Sequence, residues 1–103
     1  MEIIGNKFIV DFGMAKSVLH FKTKTLLQFQ IIEKDGKPAN ETETVEIKLT
    51  KLRPNLFMAS WKEKNDNTIT QVQDYENEII YSNWTLPNGK FNNVKGTIKP
   101  IEK

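Results

Sequence analysis

Between Thr68 and Thr85 the chain places polar and aromatic residues on both faces of two extended stretches. In the first, Thr70, Val72 and Asp74 alternate with Ile69, Gln71 and Gln73. In the second, Tyr81, Asn83 and Thr85 follow Ile79, while Ile80, Ser82 and Trp84 lie opposite. A strand that buries one side yet carries polar groups on both must satisfy them by hydrogen bonds or by a ligand. The expected result is a cavity lined by Trp61, Asp74, Tyr81 and Asn83, with aromatic walls for contact area and polar groups for orientation. Trp61 is expected to point inward because it shares a face with Phe57 and Ala59, opposite Lys62. The alternative is structural: Asp74 caps a turn through Tyr75-Glu76-Asn77-Glu78, and Tyr81 and Asn83 sit at a wet rim. A slip of one residue in strand parity exchanges Tyr81 and Asn83 for Ser82 and Trp84.

Catalytic and metal chemistry find little to work with. His20 is the only histidine. An imidazole can serve as general base, but no motif ties a nucleophile to it, and a strand position with solvent contact is the simpler expectation. The carboxylates Asp11, Glu63, Asp74, Glu76 and Glu78 include no pair selected by spacing for acid–base work. Asp11, between Ile9 and Gly13, is expected to help close the first turn. Absence of cysteine excludes disulfides, zinc–thiolate sites and cysteine nucleophiles. No glycine-rich phosphate loop is present, so no catalytic residue, metal ligand or cofactor is assigned.

The elements that must position these residues are short strands. Phe8, Val10 and Phe12 alternate with Ile9 and Asp11 before Gly13. Val18–Phe21 follows, then Leu27, Phe29 and Ile31 alternating with Gln28 and Gln30 up to the turn signal Asp35-Gly36-Lys37-Pro38. Thr44–Thr50 separates apolar from charged residues most cleanly. Leu56–Lys62, Thr68–Tyr75, Ile79–Thr85 and Phe91–Ile98 complete eight, the last two joined through Pro87-Asn88-Gly89-Lys90. Met14-Ala15-Lys16 is the one place for a single helical turn. Eight sequential strands with short loops predict an all-β, single-domain, antiparallel up-and-down barrel over residues 1–103, with a β-sandwich as the rival.

Composition narrows the partners. Charged residues make up 27% of the 103 residues, and the net charge is only +2. Arg53 is the single arginine, and lysines interleave with glutamates, which argues against a nucleic-acid surface. No apolar run approaches a membrane span. The first seven residues lack an apolar leader core, so the cytoplasm is the expected location.

Several spaced residues carry a likeness to a known group. They are Gly5-x-x-Phe8-x-x-Asp11-Phe12-Gly13, Ser60-Trp61-x-Glu63, Thr68-x-Thr70-x-Val72-x-Asp74-Tyr75-Glu76-Asn77, Tyr81-x-Asn83-x-Thr85-x-Pro87-x-Gly89 and Gly96-Thr97. From about Gly5 to Thr97 the chain resembles the small calycin-type domains grouped with molybdenum cofactor biosynthesis protein F. The resemblance implies a lipocalin-like barrel. A more distant likeness is to phenolic acid decarboxylases, which act on a carboxylated aromatic with acid, tyrosine and arginine side chains. Here Arg53 falls in a turn, and that chemistry is not carried over. The preferred expectation is therefore binding of a small apolar or aromatic molecule. The alternatives are a barrel-interior enzyme using Asp74 with Tyr81, and an interaction module that dimerises through a strand edge or barrel face.

Overall fold

The computed structural model describes residues 2–101. Eight antiparallel strands follow one another around a closed barrel: β1 (Lys7–Asp11), β2 (Ala15–Phe21), β3 (Leu26–Lys34), β4 (Lys37–Arg53), β5 (Leu56–Lys62), β6 (Thr68–Asp74), β7 (Ile79–Thr85) and β8 (Phe91–Pro100). β1 pairs with β8, with Val10 opposite Ile98, and this seam closes the ring. The expected up-and-down barrel is the observed fold, and the sandwich is excluded. No helix among the described residues is long and apolar enough to cross a membrane.

Local chemistry explains the turns. Asp35 and Gly36 both take positive φ, 50° and 78°, which suits the right-handed twist of a two-residue hairpin between β3 and β4. Pro54 fixes the approach to Asn55, whose φ is 63°. Asp11 Oδ1 accepts the Gly13 N–H at 2.8 Å, so this carboxylate does close the first turn. The helical turn expected at Met14-Ala15-Lys16 does not form. Ala15 and Lys16 instead open β2 opposite Lys34 and Glu33, where inter-strand pairing satisfies their backbone groups.

β4 is far longer than the Thr44–Thr50 stretch foreseen. Its first part, Lys37–Glu46, pairs with β3, and Ile47–Arg53 pairs with β5. The second edge of Lys37–Glu46 therefore faces the β5–β6 hairpin without a ladder. One contact bridges this gap: the Lys64 N–H donates to Glu43 Oε2 at 2.8 Å.

The two ends of the barrel differ. One end is sealed by Phe8, Phe21 and Tyr75, with Ile3 tucked beneath them by the N-terminal turn. Phe21 exchanges backbone hydrogen bonds with this turn, since Gly5 N–H donates to Phe21 O and Phe21 N–H to Asn6 O. The other end, framed by residues 12–14, 35–36, 63–67 and 86–90, is open.

Candidate functional site

Strand register stacks inward side chains in rows across β4 to β8. The row nearest the open end reads Ile47, Trp61, Ile69, Trp84 and Asn92. The next reads Leu49, Ala59, Gln71, Ser82 and Val94, and a third places Phe57 beside Gln73, Ile80 and Gly96. Large side chains at the first row and small ones at Ala59 and Ser82 leave space between them. The result is a cavity of about 690 Å³ open to solvent at the mouth, within the span usual for small-molecule sites, roughly 300–1,000 Å³.

Four aromatic rings line the cavity. Phe29 and Trp61 lie 6.2 Å apart at 33°, and Phe12 meets Trp84 edge to face at 5.8 Å and 85°. Leu19, Ile31, Ile69 and Val94 fill between them, and Gln71 stands at the inner end. Glu43, Glu63, Lys34 and Lys64 ring the mouth. Charge thus belongs to the rim and neutral polarity to the interior.

Glu63 is the rim group most altered by its setting. Burial raises its pKa above the ordinary 4.5, the hydrogen bond from Trp61 opposes this, and the neighbouring Glu43 carboxylate adds to the rise. Trp61 Nε1–H donates to Glu63 Oε2 at 3.4 Å, so the ionisation is coupled to an indole. Trp61 emission is expected to titrate with a midpoint above that of an ordinary glutamate. Glu63→Gln should abolish the transition, and an unchanged titration in that variant would assign it elsewhere. The sign for stability follows from linkage: a carboxyl with a raised folded-state pKa contributes stability present below 4.5 and lost as pH rises through the folded value. Glu63→Gln should therefore be at least as stable as the parent at neutral pH.

Of the four residues expected to share a cavity, only Trp61 lines it; it is 8% exposed. The other three are corrected to the outer face, because β6 and β7 run with the opposite parity. Asp74 lies toward the sealed end and caps the following turn. Its Oδ1 accepts the backbone N–H groups of Glu76 and Asn77, and its Oδ2 accepts Asn77 Nδ2–H at 2.9 Å. The Asn77 side-chain bond, joined by the backbone bonds, holds the Asp74 carboxyl below its ordinary pKa. Tyr81 is 44% exposed, with Lys95 Nζ 5.9 Å from its ring centre. Asn83 pairs with the exposed Thr70 and Asn93. Asp74 and Tyr81 therefore form no acid–hydroxyl pair inside the barrel.

The inward residues outside the expected set are Gln71, Gln73, Ser82 and Trp84, the last two being those that a one-residue slip in parity exchanges for Tyr81 and Asn83. The first three are the only buried polar side chains among the described residues. Their signal was weak but present: Ile69 and Tyr75 bracket the two glutamines, and Ile80 and Trp84 bracket the serine. His20 lies in the outward row between Lys7 and Gln28. Partial burial, then Lys7 and Lys22, push its pKa down. Among the described residues no group of three histidine, aspartate or glutamate side chains is placed to hold a metal ion. Arg53 is exposed at the sealed end, far in the fold from the mouth.

Comparison with solved structures finds the same architecture in a crystal structure of a protein described as a "putative beta-lactamase" from Burkholderia vietnamiensis. It superposes with a TM-score of 0.87, covering 98% of this chain and 97% of that one at 17% identity, which speaks to the fold alone. A search of curated protein sequences returns no match. The MoaF-like family matches residues 4–99, nearly the whole barrel, and the chain belongs to that family.

Proposed function

We propose that this domain binds a small, flat, largely apolar or aromatic molecule in the open end of its barrel. One observation carries the reading: a cavity of about 690 Å³ walled by Phe12, Phe29, Trp61 and Trp84, with a neutral polar side chain at its inner end. Aromatic pairs contribute about 0.5–1.5 kcal/mol beyond the area they bury, so a planar ligand between the Trp61 and Trp84 walls gains from both. The absence of cysteine fits a reducing compartment, and we place the domain in the cytoplasm.

Hydrolytic or decarboxylating chemistry has less support. The hydroxyls near the cavity are those of Ser17 and Thr42 at its wall and Ser82 beneath it, and the hydrogen bond Ser82 makes is with an amide, not a base. Self-association along the uncovered edge of β4 is likewise disfavoured. That edge carries Pro38, Glu41 and Glu43, residues that discourage strand addition.

Trp61 and Trp84 are the chain's two tryptophans, so fluorescence reports the cavity directly. A panel of naphthalene-sized aromatic compounds should include members that change the emission saturably. Trp84→Ala should weaken those members by roughly tenfold, in line with loss of one aromatic wall. Failure of every compound to perturb either tryptophan would overturn the reading.

A further inference from the structure

The interior polar residues form a chain with a direction. Tyr75 Oη donates to Gln73 Oε1 at 2.7 Å, Gln73 Nε2 donates to Gln71 Oε1 at 2.8 Å, and Gln71 Nε2 points to Ser82 Oγ at 3.5 Å. The chain runs from the sealed end toward the cavity. A side-chain amide can be turned either way, so its direction needs a physical cause.

Tyr75 supplies that cause. Its ring is packed against Phe8 at 4.9 Å and Phe57 at 5.9 Å, and its hydroxyl makes a single hydrogen bond, to Gln73. Were Gln73 reversed, its amide would donate to Oη, and the phenolic proton would be buried with no acceptor. Burial also pushes the Tyr75 pKa far up, so the hydroxyl keeps its proton. Gln73 must therefore present its carbonyl to Tyr75 and its NH₂ to Gln71. In turn Gln71 must present its carbonyl to Gln73 and its NH₂ onward. At that point the chain runs out of good acceptors. Two N–H bonds remain for one serine oxygen at the limit of hydrogen-bond length. Gln71 is 4% exposed, lines the cavity, and has the small residues Ala59 and Ser82 as its cross-strand neighbours.

From this geometry we infer that the inner end of the cavity is a hydrogen-bond donor site, formed by the Gln71 amide, which selects ligands bearing a neutral acceptor such as a ketone, ester or amide carbonyl. The inference rests on the ligand-binding reading above and adds the chemical class to it. An anionic acceptor is disfavoured there, because the lysines stand at the rim and a carboxylate beside Gln71 would be buried without a counter-charge. A donor-only ligand would leave Gln71's N–H groups unpaired. Tyr75 acts as a positioning residue, setting the polarity of the chain from the far end.

The test compares two compounds of one shape, 2-acetylnaphthalene and 2-isopropenylnaphthalene, in which a carbonyl oxygen is replaced by a methylene. Titration against tryptophan emission should show the ketone binding roughly three- to tenfold tighter, the net worth of one neutral hydrogen bond. The infrared carbonyl stretch of the bound ketone should lie below its value in hexane. Equal affinities with an unshifted stretch would overturn the inference and leave ligand binding intact; binding by neither compound nor any other panel member would overturn both. Tyr75→Phe, which removes the directing proton, should shrink the preference for the ketone. Undiminished preference in a folded Tyr75→Phe protein would remove Tyr75 from the account. Should that variant not fold, the stretch measured on the parent protein still decides the donor site.

Discussion

Phe8→Ala is expected to lower the unfolding free energy by about 3–5 kcal/mol, the usual cost of removing a fully buried phenylalanine. Phe8 is 1% exposed and holds the centre of the sealed end, edge to face with Phe21 at 6.0 Å and tilted against Tyr75 at 4.9 Å. Phe57 extends the same aromatic group from β5 by packing on Tyr75 at 5.9 Å. These contacts join strands distant in sequence, so the space left by alanine cannot close by a local rotamer change. Domains of this size are stable by only about 5–15 kcal/mol in total, which makes the loss a large share. Urea unfolding followed by far-ultraviolet circular dichroism measures it. Trp84→Ala, at the open end, should cost much less, because one side of that indole already faces the cavity. Equal losses at the two ends would mean that the open end is packed solid in solution and holds no cavity.

This division of labour between the ends also explains what strand patterning conveyed. Short extended runs between turn residues marked eight strands, with period-two alternation cleanest in β1, β3 and β4, since each strand buries one face in a common core. It could not decide which face of β6 is inside. The usual criterion, the more apolar row, fails where the inner row is Ile69, Gln71, Gln73 and Tyr75 and the outer row includes Val72. The parity of β7 follows from that of β6: Tyr81 and Asn83 turn outward, and the slipped register brings Ser82 and Trp84 inward. Trp61 was legible because Phe57 and Ala59 give β5 an unambiguous inner row. The capping role of Asp74 was also legible, as an alternative, from the Asn77 three residues on. The length of β4 was hidden for a related reason. Its early inward positions include Glu41 and Glu43, which serve the cavity mouth and so read as loop. The same polar interior that obscured the parity supplies the Gln71 amide, the donor proposed above for a ligand carbonyl.

Gly96→Ala is the second substitution expected to be severe, and its cause differs from that of an ordinary glycine. The four glycines at positions 5, 13, 36 and 89 have positive φ and open space around them. Gly96 lies within β8 in the inward row, opposite Ile80, and needs no unusual backbone angle. What it lacks is room. A Cβ there would fall on the carbonyl oxygen of Asp11 and 2.7 Å from Cδ1 of Phe12. The first obstacle is backbone, so no side-chain rotation relieves it, and β1 would have to withdraw from β8 along the seam that closes the barrel. The expected cost is about 3 kcal/mol, at the upper end for overpacking, or a fall in Tm of more than about 10 °C for a chain this short. Gly36→Ala, where φ is 78° and nothing lies within 4 Å, isolates the conformational contribution and should cost about 1–2 kcal/mol. If calorimetry finds Gly96→Ala no worse than Gly36→Ala, the close approach of the two strands is not what holds position 96 to glycine. The effect should also reach the cavity, because Phe12 must move with β1 and Phe12 is the ring that meets Trp84 edge to face. The residue at the seam that closes the barrel thereby also sets one wall of its cavity.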